Sequence, residues 1–219
     1  MENSLGAVEA ALDAGYAVEV DLQLTSDGGL VMIHDRTLDR TAVGSGRVGA
    51  HTLDELRRIP LRGSDETLSS VTDLLALVAG RSPLFIELKS PDAHEDKARM
   101  TAAIARALSG YGGAAAVMTF DVDLLALLRR TLKDTPLGIL AGGESRRGAL
   151  VSRFGRDMLL HMPRTQPDFV SYYALALPHP AVTMARRKRP VIAWTVRSAQ
   201  EAARIARHVD QITFEGFLP

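Results

Sequence analysis

The chain contains no cysteine. A disulfide framework, a thiol nucleophile and a cysteine-ligated zinc site are therefore excluded. It also lacks net charge, since 26 basic and 26 acidic side chains cancel. Global electrostatics thus gives no reason to expect nucleic acid or an anionic membrane surface as a partner. The one local exception, Arg186-Arg187-Lys188-Arg189, reads as a solvated helix C-terminus favoured by the helix dipole. No apolar run approaches the ~18 residues of a membrane span, and no basic-plus-apolar leader opens the chain. The expectation from these absences is a soluble cytoplasmic protein with neither a membrane span nor a nucleic-acid partner.

What is present centres on residues 16–41. From Ala17 to Leu24, polar and apolar residues alternate, so Val18, Val20, Leu22 and Leu24 share one strand face while Glu19, Asp21 and Gln23 share the other. Two carboxylates two residues apart on one face lie about 6.5 to 7 Å apart at Cα, within reach of one divalent ion. Ser26-Asp27-Gly28-Gly29 is a strong turn signal. The return run Leu30-Val31-Met32-Ile33 then delivers His34 and Asp35 beside the acids.

A helix over residues 4–14 precedes this hairpin, capped by Ser4 or Asn3 and stopped by Gly15. Residues 42–68 read as irregular apart from a short helix started by the capping box Thr52-x-x-Glu55. After a helix over 70–79, Leu84 to Lys89 forms a strand with Phe85, Glu87 and Lys89 on one face. Helices over 94–108, 121–132, 148–160 and 180–188, and one started by Ser198-x-x-Glu201, then alternate with strands over 115–120, 136–141, 168–172, 191–196 and 210–214. Regular strand–helix alternation without a linker predicts one α/β domain over 1–219. The rhythm is that of a (β/α)8 TIM barrel, which typically takes about 250 residues. The chain begins with a helix where a barrel begins with a strand, so the first strand is expected upstream of Met1 or lost.

Glu2-Asn3-Ser4, Glu19-Val20-Asp21 with Thr25-x-Asp27-Gly28, and His34-Asp35 with Leu38 and Arg40-Thr41 together resemble the glycerophosphodiester phosphodiesterase family. Ile86-Glu87-Leu88-Lys89, Thr119-Phe120-Asp121 and Trp194-Thr195-Val196 continue the resemblance in order, and the ending Asp210 to Phe217 is similar to a bacterial subgroup. The resemblance implies a (β/α)8 barrel with a small insertion after its second strand, here about residues 26–68. It also implies hydrolysis of a small-molecule glycerophosphodiester to glycerol 3-phosphate and an alcohol. By the same resemblance Glu19, Asp21 and Glu87 are the metal ligands, His34 is one of two acid–base histidines, and Lys89 faces the phosphate. Phe120 and Trp194 would line the glycerol side of the pocket. The family's His-Arg-Gly motif, carrying the second histidine and a phosphate-binding arginine, has no counterpart in this sequence.

Three carboxylates suit a hard divalent cation, Mg²⁺ or Ca²⁺. Each assignment has a plainer reading. Glu19 and Asp21 could be the wet face of an edge strand, His34 a surface histidine, Lys89 a solvated strand end, and Trp194 and Phe120 core. Asp35 and Arg40 are expected to brace the hairpin, and the other five histidines to be surface or structural. Two alternatives to the hydrolase stand at this point: a barrel remnant that binds metal and phosphodiester without turnover, and a related metal-dependent phospholipase acting on choline lipids.

Overall fold

The alternating run becomes β1 (Val18–Leu24), and in the computed structural model it is an inner strand rather than an edge. Its antiparallel partner is β2 (Leu30–Met32), in the register Leu22↔Met32 and Leu24↔Leu30. On its other side it pairs in parallel with β3 (Leu84–Leu88), and β3 pairs in parallel with β4 (Ala115–Thr119). Both faces of β1 are largely buried, as in parallel sheets covered on each side. The solvated-edge reading of Glu19 and Asp21 is thereby removed.

The structure describes residues 1–143, 155 and 157–219. They divide into two units, Met1–Met118 with Arg130–Thr135, and Thr119–Arg129 with Pro136–Pro219. In the first, α1 (Leu5–Asp13) starts where the Ser4 hydroxyl accepts from the Ala7 amide, and Gly15 follows it in a left-handed conformation. The predicted box on α2 (Leu53–Leu56) is complete: Thr52 Oγ1 accepts from Glu55 N, and Glu55 Oε2 accepts from Thr52 N. Ser70 and Asp73 make a second box on α3 (Val71–Val78), and α4 runs from His94 to Leu108.

The stretch expected to be irregular, residues 42–68, shares a core with the return run before it. Val31, Ile33, Leu38, Ala42, Val48, Leu56, Leu61 and Leu68 are all at most 2% exposed and pack together, with Leu53 and Ile59 against them. Their spacing follows neither the helical nor the strand period, because the segment is held by loop hydrogen bonds and isolated bridges such as Ala42↔Leu61. That core fixes the segment that presents His34.

In the second unit β5 (Leu137–Ala141), β6 (Phe169–Tyr173), β7 (Val191–Val196) and β8 (Gln211–Phe214) pair in parallel in that order. Helix α5 (Val122–Thr131) is started by Asp121, whose Oδ1 accepts from the Asp123 and Leu124 amides. Shorter helices α6 (Met162–Thr165), α7 (Pro180–Arg186) and α8 (Ala199–Ile205) follow. The Ser198–Glu201 box is only half made: Ser198 accepts from Glu201 N, but the Glu201 carboxylate turns to the Arg197 amide. The basic run ends α7 as expected, with Arg186 bound to Asp210 and Arg189 donating to the Pro167 carbonyl. The helix predicted over 148–160 lies mostly outside the described residues. Parallel strands joined by helices make this an α/β fold of the (β/α)8 class. Among the described residues no helix is long and apolar enough to cross a membrane.

Candidate metal centre

Strand register builds the acidic cluster. In the β1–β3 pair Asp21 lies directly beside Glu87, and Glu19 precedes Asp21 by two residues on the same face. Glu19, Asp21 and Glu87 each offer an oxygen, and these oxygens lie within 4.8 Å of one another. Asp21 and Glu87 are buried at 6% exposure, and Glu19 is partly so. Lys89, one residue past β3, answers part of this charge: its Nζ stands 2.8 Å from Asp21 Oδ1 and 2.6 Å from Glu87 Oε1.

Three acids against one ammonium leave the cluster electron-rich and poorly hydrated. Burial, then repulsion from Asp21 and Glu87, pushes the Glu19 carboxyl well above the usual carboxylate range. Burial also raises Glu87, against the pull of Lys89. The Lys89 ammonium is held above its ordinary value because attraction to Glu87 and Asp21 outweighs its own burial. An all-oxygen donor set with excess negative charge fits a hard divalent cation.

Asn3, which reads from the sequence as a helix start and which the resemblance puts near the active site, reaches into this cluster. Its Nδ2 donates to Asp21 Oδ2 at 2.9 Å, and its Oδ1 accepts from the Asp21 amide at 2.8 Å. Eighteen residues separate the pair, so no local spacing could have revealed it.

His34 follows the hairpin and is exposed, with Nδ1 2.7 Å from Asp35 Oδ1. It is close enough to Glu87 to favour that group's ionised form. Arg40 grips Asp35 through Nε at 2.6 Å and Nη2 at 3.0 Å, and Glu2 through both of its terminal nitrogens. Hydrogen bonding from Arg40 is the main cause that lowers the Asp35 carboxyl to about 2. The Gln23 side-chain amide donates to the backbone carbonyls of Ile33, His34 and Asp35, tying the histidine loop to β1.

In the second unit Phe120 and Trp194 meet edge to face at 5.3 Å. Tyr173, which no motif or spacing singles out, lies 5.2 Å from Trp194. The indole Nε1 donates to the Ser171 carbonyl, and Gly143 leaves room for the ring where a Cβ would come within 2.7 Å. Four of the other five histidines are engaged elsewhere: His51 near Glu55, His161 with Thr165, His179 against Tyr172, and His208 with Arg207.

An eight-strand α/β fold of the (β/α)8 class, with an acidic cluster carried by its first parallel pair, defines the class of protein. Residues 1–213 match the model of the Glycerophosphoryl diester phosphodiesterase family, and the chain belongs to that family. A glycerophosphodiester phosphodiesterase of Caldanaerobacter subterraneus subsp. tengcongensis is 35% identical over 97 residues, 41% of this chain and 40% of that protein. Glycerophosphodiester phosphodiesterase 1 of Homo sapiens is 42% identical over 59 residues, 26% of this chain and 18% of its own length. The matched stretches thus span two-fifths or less of these relatives. Among solved structures, an Oleispira antarctica phosphodiesterase in complex with sn-glycerol-3-phosphate superposes with TM-score 0.80 at 18% identity, covering 97% of this chain and 86% of that one. A Thermotoga maritima glycerophosphodiester phosphodiesterase gives TM-score 0.76 at 20% identity over 98% and 88%.

Proposed function

We propose that the chain hydrolyses small glycerophosphodiesters to glycerol 3-phosphate and an alcohol at a divalent cation held by Glu19, Asp21 and Glu87. The observation that carries this reading is the convergence of the three carboxylates, within 4.8 Å at their oxygens, beside Lys89 and the His34 loop. Membership of the family agrees with it. So does the relative whose solved structure holds the product sn-glycerol-3-phosphate.

The chain's residues divide the work by their chemistry. Glu19, Asp21 and Glu87 would hold the ion, which, when bound, neutralises phosphate oxygens as a Lewis acid. Mg²⁺ and Ca²⁺ both suit oxygen ligands of this kind. Lys89 places an ammonium where negative charge grows on the phosphoryl oxygens in the transition state. His34, its Nδ1 turned to Asp35, exchanges a proton with the leaving or attacking oxygen through Nε2. Phe120 and Trp194 offer an aromatic surface suited to the glycerol carbons. The insertion over about 26–68 carries His34 as part of the same catalytic domain.

The test is turnover of glycerophosphocholine by the 219-residue chain with added Mg²⁺ or Ca²⁺. The reading expects release of glycerol 3-phosphate, abolition by Glu87→Ala, and a loss of roughly 10²- to 10⁴-fold in His34→Ala. A folded chain inert with both ions refutes hydrolysis. A second reading is binding of cation and phosphodiester without turnover, with the same three carboxylates as ligands. Cation binding without product in that assay would select it.

A further inference from the structure

We infer that Glu2 and Asn3, the adjacent residues in front of α1, are positioning residues for both halves of the candidate site. Asn3 fixes the carboxylate Asp21, and Glu2 fixes His34 through Arg40 and Asp35. The inference rests on the reading proposed above and adds two residues to it.

The Asn3 arm is a two-point clasp. Its amide donates to Asp21 Oδ2 and accepts from the Asp21 backbone N–H. Main chain and side chain of Asp21 are thus held together, and Oδ1 is left turned toward Lys89. Asn3 achieves this from a left-handed conformation, φ 51°, which asparagine adopts more readily than most residues. Ser4, next in sequence, does the ordinary work of capping α1. Asn3 is therefore free of the helix start and aimed at β1.

The Glu2 arm is a chain of charges. Its Oε1 and Oε2 accept from Arg40 Nη2 at 2.5 Å and Nη1 at 3.0 Å. The adjacent Nε–Nη2 edge of the same guanidinium binds Asp35, and Asp35 Oδ1 meets His34 Nδ1. A planar guanidinium gripped on two edges cannot rotate without breaking charge-assisted bonds. Side chains of Glu2 and Arg40 remain about half exposed, at 45% and 51%. Ion pairs in such places contribute little to stability. The consequence to expect is orientation of the imidazole rather than strength of the fold.

Two variants separate the arms, using the full chain. Asn3→Gly removes the amide but keeps a residue at ease with positive φ. It is expected to weaken Mn²⁺ binding about 10-fold by calorimetry, as loss of a partner of a ligating carboxylate commonly does. The His34 Nδ1 resonance in nitrogen-15 NMR should stay where it is. Glu2→Ala is expected to move that resonance and to lower kcat on glycerophosphocholine with KM unchanged. Its Mn²⁺ affinity should stay within about twofold of the wild type, and Glu2→Gln, which keeps one bond to Arg40, should recover part of the loss. An Asn3→Gly affinity equal to wild type, or an unmoved His34 resonance in Glu2→Ala, overturns the inference. So does a pair of variants that shift both readouts together with Tm. If the wild type binds Mn²⁺ but is inert, the hydrolase reading fails while calorimetry and NMR still decide the positioning roles. If it binds no Mn²⁺, the Asn3 arm falls with the metal site.

Discussion

Replacing Lys89 with methionine keeps its hydrocarbon volume and deletes the ammonium bridging Asp21 and Glu87. In metal-free solution two buried carboxylates then lose their cation. Breaking a buried pair by removing one partner typically costs about 3–5 kcal/mol. The loss also has a ceiling, because the protein can instead bind a proton. At pH 7 that costs about 1.4 kcal/mol for each unit above an ordinary glutamate pKa near 4.3, or roughly 3.7 kcal/mol. The two figures agree on ~3–4 kcal/mol. For a chain of 219 residues this corresponds to a Tm lowered by about 6–15 °C. Carboxyls whose folded pKa lies above the unfolded value favour the fold below that unfolded value, and the contribution is lost as pH rises through the folded pKa. Without the pull of Lys89 the Glu87 carboxyl, already raised by burial, rises further, so the deficit grows with pH. At pH 5 the protonation ceiling is only about 1 kcal/mol, and the Tm gap should shrink to a few degrees. Calorimetric melting of both proteins in EDTA at pH 5 and pH 7 measures this. A gap that is negligible at pH 7, or equal at the two pH values, refutes the reasoning.

Glu19→Gln should act with the opposite sign. It removes the carboxyl that burial and its two acidic neighbours push up, so Tm in EDTA at pH 7 should rise while cation affinity falls, both readable on one sample by melting and calorimetry. Asp35 tests the acid limb. Arg40 holds its carboxyl down to about 2, so its contribution is present above about pH 4 and lost as pH falls toward 2. The pair is partly exposed and worth about 1 kcal/mol or less. Urea denaturation of wild type and Asp35→Asn should differ by that amount at pH 5 and converge near pH 2.

Much of this was legible in the residues because the relevant physics is local. The two-residue period of β1 placed Glu19 and Asp21 on one face, and the capping boxes at Thr52 and the cap at Asp121 follow from side chains that reach only three residues. The Asn3–Asp21 clasp, the Gln23 bonds to the histidine loop and the Tyr173–Trp194 contact were not legible. Each joins residues 10 to 21 apart in sequence through tertiary geometry alone. The core of the segment holding Leu38 and Leu56 was hidden for a related reason. Its apolar residues follow the turns of a loop rather than a helix or strand period, so they read as irregular until the loop is closed. The half-made box at Ser198 shows the converse. Its spacing was right, but the Arg197 amide took the Glu201 carboxylate instead.

The central claim is that Glu19, Asp21 and Glu87 together hold one divalent cation. Isothermal titration of Mn²⁺ into the full chain tests it most directly. The account predicts one ion per chain, with binding lost in both Asp21→Asn and Glu87→Gln while each variant remains folded. A folded wild type that takes up no ion, or two variants that bind as well as it does, would contradict it.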